Sequence, residues 1–237
     1  MRPLRFFTLF TLQSLVHLVF HMSAAAAAPV IESIAISVPE QRLYTFDEAG
    51  SEITSYRIST SQFGTGDMRG SYTTPLGQLQ VVGKIGDGSP VGTVFKGGAR
   101  TGEICAINAR GRDPIVTRIL RLRGLEKHNS DSYSRAIYIH GTPDERHLGK
   151  PMSWGCIRMR SCDVITLFGS VSVGIRVEIT EARLSGGLFA KAIHSLPTIA
   201  TGPELKHKAK KANVESATKP PEKPAQLASV DQKRTRS

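Results

Sequence analysis

Cysteine is scarce in this chain, with three residues (Cys105, Cys156 and Cys162) among 237. His140, His147, Cys156 and Cys162 lack the close paired spacing of zinc ligands, so no metal site is read and no cofactor is implied. An odd count leaves at least one thiol unpaired within the chain, for chemistry or for a partner. With Cys156 as that thiol, Cys105 and Cys162 could pair, and the favoured reading is that both are small buried residues. Acid is also in short supply: 20 Asp and Glu face 31 Lys and Arg, for a net charge of +11. Such a balance favours anionic partners. No nucleic-acid motif accompanies it, so nucleic acid is not expected as a partner. No internal repeat is visible, and long apolar runs are missing except near the N-terminus.

That one run carries a targeting signature. Arg2 and Arg5 form a basic start, residues 6–20 are mostly apolar, and the alanines at 24–28 offer small-residue cleavage sites. Pro29 disfavours a cut directly before it, which places the cut near Ala26 or Ala27 and the signal peptide at residues 1–27. Gln13, His17 and His21 interrupt the run, which is short against the ~20 apolar residues of a membrane span. No cysteine sits near the cut, so a lipid anchor is not expected. The expected location is therefore the periplasm or cell wall, with no stable membrane span after cleavage. Losing Arg2 and Arg5 leaves 11 − 2 = +9 on the mature chain.

What remains reads as many short strands. Residues 33–38 alternate polar and apolar as a half-buried strand does. Residues 42–46 and 53–59 follow around a turn at Asp47-Glu48-Ala49-Gly50. Strands are also expected at 77–82, 115–122, 135–140 and 171–179, with a glycine-rich long loop or loose hairpin at 83–102. Residues 162–168 place Val164, Leu167 and Phe168 at helical spacing, with Ser161 or Asp163 as a start signal. The pattern predicts a mainly β fold, a barrel or sandwich with a short helix after Cys156. Residues 188–196 could form a short amphipathic helix. Residues 184–237, which include that segment, lose the core signal, and from 201 onward they hold almost no apolar bulk. The reading there is a basic, disordered tail.

The chemistry is carried by Ile139-His140-Gly141-Thr142 and Ser153-Trp154-Gly155-Cys156-Ile157-Arg158, whose cysteine and histidine are 156 − 140 = 16 positions apart. A thiolate is the nucleophile, and a neighbouring imidazole both lowers the thiol pKa and carries the proton. Cys156 is thus the candidate nucleophile and His140 the candidate base. Gly155 and Cys156 would offer backbone N–H groups to an oxyanion, the glycine permitting close approach. Ser153 reads as a brace of the loop. Arg158 suits either a substrate carboxylate or a structural ion pair. Tyr138 and Trp154 read as packing residues beside the site, with Trp154 able to cover an acyl group. Arg118, Arg121 and Arg123 add positive charge that could meet substrate carboxylates, though a solvated strand face is the favoured reading.

These runs resemble a known family. Tyr138-Ile139-His140-Gly141-Thr142-Pro143, then Leu148-Gly149-Lys150-Pro151, then Ser153-x-Gly155-Cys156-Ile157-Arg158-Met159 are similar to the L,D-transpeptidase (YkuD-like) catalytic domain. Upstream, Ile58-Ser59-Thr60-Ser61 and Thr74-Pro75-Leu76-Gly77 resemble further elements of it, over roughly residues 34–179. Trp154 departs, standing where members usually carry a second histidine. The resemblance implies the same mainly β fold. It also implies that the Gly141 carbonyl orients the His140 ring, with Asp144 a weaker candidate for that task.

It further implies an exported enzyme acting on peptidoglycan stem peptides through a thioester. The donor would be cut between its third, meso-diamino acid residue and the terminal D-alanine. A stem amine as acceptor gives a cross-link, a protein lysine gives an anchored protein, and water gives carboxypeptidase activity. The other class of reading is a degenerate wall-binding module, which Trp154 keeps open. The catalytic domain is placed at residues 28–183. The tail is given anionic wall or envelope polymers as its possible partner.

Overall fold

The computed structural model describes residues 29–185. The expected signal peptide, the helix at 188–196 and nearly all of the expected tail lie outside them. The strands are β1 (Ser33–Ser37), β2 (Arg42–Phe46), β3 (Glu52–Ser59), β4 (Gly77–Ile85), β5 (Thr93–Lys96), β6 (Ala99–Ile104), β7 (Ile115–Gly124), β8 (Tyr138–Gly141), β9 (Ile157–Met159) and β10 (Arg176–Thr180). The helix α1 spans Ser161–Ser170. The mainly β expectation holds.

The sheet runs β4-β10-β1-β2-β3-β9-β8-β7-β5-β6, and β4 also pairs with β7. That extra pairing closes eight strands into a ring and leaves β5–β6 as a hairpin hung from β7. Closure removes the edges that β4 and β7 would otherwise expose. One face of every ring strand feeds a single core. Ile34, Ile36, Leu43, Ile58, Leu79, Val81, Leu120, Leu122, Ile139, Ile157, Met159, Val177 and Ile179 meet Val164, Leu167 and Phe168 of α1 there. Burying each such side chain contributes about 1.5–3 kcal/mol.

Several expectations are corrected. β1 is covered on both faces rather than half-buried, because Ala35 packs with Tyr44, Phe46 and Leu184 in a second cluster. Glu40 holds that returning segment by accepting from the N–H groups of Leu184 (2.7 Å) and Ser185 (3.1 Å). The strand expected at 171–179 begins only at Arg176. Gly174, at φ 104, turns the chain before it, while Val171 and Ile175 stay buried. The glycine-rich stretch resolves into the end of β4 and the β5–β6 hairpin. The start of α1 is not capped by its own side chains. Glu145, sixteen residues upstream, accepts from the Ser161 N–H at 2.8 Å. Cys105 is buried but Cys162 is exposed, and no disulfide joins them. Among the described residues no helix is long and apolar enough to cross a membrane.

Candidate active site

β8 and β9 run parallel with Ile139 opposite Ile157, His140 opposite Arg158 and Gly141 opposite Met159. A parallel pair needs a long crossover. Residues 142–156 supply it and return the chain so that Cys156 immediately precedes β9. Ile139, Ile157 and Met159 enter the core. By alternation, Tyr138, His140, Cys156 and Arg158 share the opposite face. The crossover, not the sixteen-residue spacing, places Cys156 and His140 on one face of adjacent strands.

His140 is 4% exposed. Its Nδ1 lies 2.9 Å from the Gly141 carbonyl oxygen. A carbonyl only accepts, so Nδ1 carries the hydrogen and Nε2 is left as the basic nitrogen. Asp144 does not serve His140. Its two oxygens lie 2.7 and 2.8 Å from Nδ1 of His147. Burial alone would raise the Asp144 carboxyl, yet hydrogen bonds from His147 and Arg146 hold it below the usual carboxylate range.

The Cys156 thiol donates to the Ala136 carbonyl at 3.4 Å. Ala136 itself has φ 58, in the left-handed region that non-glycine residues rarely occupy. Gly155 has φ 114, and a Cβ there would sit 3.1 Å from the Thr73 carbonyl oxygen and 3.3 Å from Ile137. Only glycine fits that turn. Ser153 braces the loop, its hydroxyl donating to the Cys156 carbonyl at 2.6 Å and accepting from the Gly155 N–H at 3.2 Å. The Gly155 N–H expected at an oxyanion is therefore engaged by Ser153 in this state. The loop is tied down further by Ser153 N–H to Thr60 O (2.9 Å), Gln62 N–H to Ser153 O (3.1 Å) and Thr74 Oγ1 to Gly155 O (3.0 Å).

Arg158 is 3% exposed and ion-paired with Asp113, with Asp144 3.9 Å away. Its other nitrogen donates to Ser59 Oγ at 3.3 Å. Of its two readings, this environment is that of the ion pair. Asp113 also accepts from Thr142 Oγ1, which in turn accepts from the Asp144 N–H at 3.0 Å. The strand end carrying His140 is thus clamped to β9. Sequence reasoning missed Asp113, since nothing local marks an acid 45 positions from its arginine.

Trp154 is 38% exposed and meets Tyr72 (4.9 Å between ring centroids) and Phe63 (5.0 Å) edge to face. An aromatic lip on residues 63–72 stands beside the Gly155-Cys156 turn. Tyr138 lies across from Arg121 of β7. Arg118 leaves that face. Two residues before the core-facing Leu120, it points by alternation to the core side, where its guanidinium lies 5.5 Å from the centroid of the Phe168 ring of α1. The three arginines are therefore not one solvated strand face.

The family model of the L,D-transpeptidase catalytic domain, YkuD, matches residues 32–179. A curated relative, "Probable L,D-transpeptidase YcfS" of Escherichia coli (strain K12), is 28% identical over 149 residues. That match covers 62% of this chain and 43% of the relative, so the chain spans less than half of the relative's length. Among solved structures, L,D-transpeptidase 3 from Mycobacterium tuberculosis in complex with a faropenem-derived adduct aligns with a TM-score of 0.42 and 18% identity, covering 65% of this chain and 61% of that one. The L,D-transpeptidase from Xylanimonas cellulosilytica (residues 123–326) aligns with a TM-score of 0.41 and 16% identity, covering 65% and 62%.

Proposed function

The chain belongs to the L,D-transpeptidase catalytic domain (YkuD) family, and from that premise we propose that it is an exported cysteine L,D-transpeptidase acting on peptidoglycan stem peptides. The observation that carries the reading is the His140 ring, held through Nδ1 on the Gly141 carbonyl on the face shared with Cys156. Nε2 of His140 takes the thiol proton, and the thiolate attacks the carbonyl that links the third stem residue to the terminal D-alanine. The oxyanion is met by the Cys156 N–H and by the Gly155 N–H once it exchanges its bond to Ser153. The C–N bond breaks, His140 returns the proton to the departing D-alanine nitrogen, and a thioester remains. An acceptor amine then gives its proton to His140, attacks the thioester and restores the thiol.

The preferred acceptor is a stem side-chain amine, which yields a direct cross-link in wall building. Mass analysis of muropeptides incubated with the protein tests this. Dimers with loss of D-alanine support it, trimmed monomers alone make the protein a carboxypeptidase, and no change of mass sinks it. We also propose that the cut near residues 26–27 releases the protein to the wall. There residues 201–237, with nine Lys and Arg against four Asp and Glu (9 − 4 = +5), add attraction to anionic polymers.

A further inference from the structure

The buried cations of this domain have acceptors. Arg135 meets Asp67 at 2.6 Å and the carbonyls of Gly66, Ser71 and Thr73. Arg158 has Asp113 and Asp144. Arg118 donates to the Ser89 and Thr117 carbonyls at 2.7 Å each. Arg121 differs. It is half-buried, its Nε is shut away from solvent without an acceptor, and no carboxylate of the described residues forms an ion pair with it. The Nε atoms of Arg135 and Arg158 are equally bare, but those charges are neutralised by aspartates. What surrounds Arg121 is aromatic, and its one polar side-chain contact among the described residues is a hydrogen bond with Tyr138, a neutral group. Its guanidinium lies 4.6 Å from the Tyr133 ring centroid and 5.9 Å from that of Tyr138. Ring faces orient a guanidinium but do not neutralise it.

Its place in the sheet makes the missing anion informative. Arg121 is opposite Gly83 on one side and Tyr138 on the other. The β8–β9 register, with Ile139 opposite Ile157, puts Cys156 beside Tyr138. Gly83, Arg121, Tyr138 and Cys156 therefore form one row across four strands, facing the same way. Neighbouring strands are ~4.8 Å apart, so Arg121 and Cys156 are about two spacings, ~10 Å, apart at Cα. Gly83 leaves the far end of the row open, since a Cβ there would only just touch Arg121, at 3.6 Å from Cδ. Tyr138 feels both neighbours: burial raises its phenol above the ordinary range, Arg121 opposes this, and charge on Cys156 adds to it.

We propose that Arg121, seated on Tyr133 and Tyr138, is the anion subsite that receives a carboxylate of the acyl donor while the donor's carbonyl lies at Cys156. The planar fork of a guanidinium accepts a carboxylate through two parallel hydrogen bonds, and the tyrosine faces hold it ready. The inference rests on the acyl-transfer reading for its substrate but not for its charge, and two measurements separate them. The first is the rate of alkylation at the Cys156-containing peptide by iodoacetate and by iodoacetamide. Arg121→Gln lowers the iodoacetate rate several-fold and leaves the iodoacetamide rate unchanged. An unchanged ratio overturns the proposal whatever the protein's reaction is.

The second is steady-state turnover of donor stems with free carboxylates and with each carboxylate amidated in turn. Arg121→Gln raises KM about ten- to a hundredfold on the free acid with kcat little changed, as the loss of a charged hydrogen bond does. It makes no difference on the donor whose bound carboxylate has been amidated, and Arg121→Lys falls between. An equal loss on every donor, or none on the free acid, overturns the proposal. A wild type inactive on all donors instead sinks the transpeptidase reading and leaves the alkylation ratio to decide on Arg121.

Discussion

The two sides of the Cys156–His140 pair are built on opposite terms. On one side, Arg158, Asp113, Thr142 and Asp144 form a polar network in which both Arg158 Nη groups and the Asp144 N–H have partners and only the Arg158 Nε lacks one. On the other, Phe63, Tyr72 and Trp154 stand exposed, and Arg121 has aromatic faces but no acidic partner among the described residues. A satisfied network fixes geometry, because breaking any one bond strands a buried polar group. An open aromatic and cationic rim has area and charge left for something else. On the proposed mechanism the network would position the reacting groups, as positioning within a fraction of an ångström requires, and recognition would be left to the rim.

The largest effects belong to the pair itself. Cys156→Ala abolishes turnover on muropeptides while leaving the melting temperature close to wild type, because the loop is held by backbone bonds and by Ser153. His140→Ala lowers turnover by about 10²–10⁴-fold. Full activity in either variant ends the assignment.

Next comes the clamp. Asp113→Ala leaves a guanidinium that is 3% exposed without its main partner, Asp144 being 3.9 Å away. Removing one member of a fully buried pair costs about 3–5 kcal/mol. Because Asp113 is 29% exposed, the expected loss is lower, about 2 kcal/mol, read by denaturant unfolding. Activity falls with it, since Thr142 loses its acceptor at the end of the histidine strand. A variant with unchanged stability would mean that the two sides are not built differently.

A smaller effect is expected away from the site, at Glu40. Burial would raise this carboxyl, but hydrogen bonds from Ser185, Leu184 and Ser37 pull it from 4.5 down to about 2. A depressed carboxylate contributes stability above its unfolded pKa and loses it as pH falls through the folded one. The wild type therefore loses melting temperature between pH 4.5 and 2, and Glu40→Gln loses less over the same range. Parallel melting curves would show that the segment at Leu184 is not held by this charge.

The legible parts were those whose signal is local. Alternation exposed most strands, helical spacing exposed α1, and the runs around His140 and Cys156 marked a candidate pair that the register puts on one face. What escaped is non-local. The β4–β7 pairing that closes the ring joins segments some forty residues apart and has no mark in either strand. Glu145 caps α1 from across the crossover, and Asp113 reaches Arg158 from 45 positions away. Arg121 and Arg118 look alike in sequence. The odd spacing between them puts them on different faces, Arg118 with the core-facing Leu120 and Leu122 and Arg121 with Tyr138.

Trp154 offers the mildest and sharpest probe of the rim. If proton transfer in this family depended on a histidine before the Gly-Cys turn, this chain would be inert. The arrangement argues otherwise, because the nitrogen that must stay basic belongs to His140, whose other nitrogen is held by Gly141. An indole donates only and cannot act as a base. Trp154 instead spends its faces on Phe63 and Tyr72, at 5.0 and 4.9 Å. Each such ring contact is worth about 0.5–1.5 kcal/mol, and 1.4 kcal/mol is tenfold in an equilibrium or rate. Trp154→His should therefore keep turnover within about tenfold of wild type, the loss appearing in KM through a loosened lip. Muropeptide kinetics beside thermal melts measure this. A silent wild type that gains activity in Trp154→His would reverse the argument and make the tryptophan the lesion of a wall-binding module.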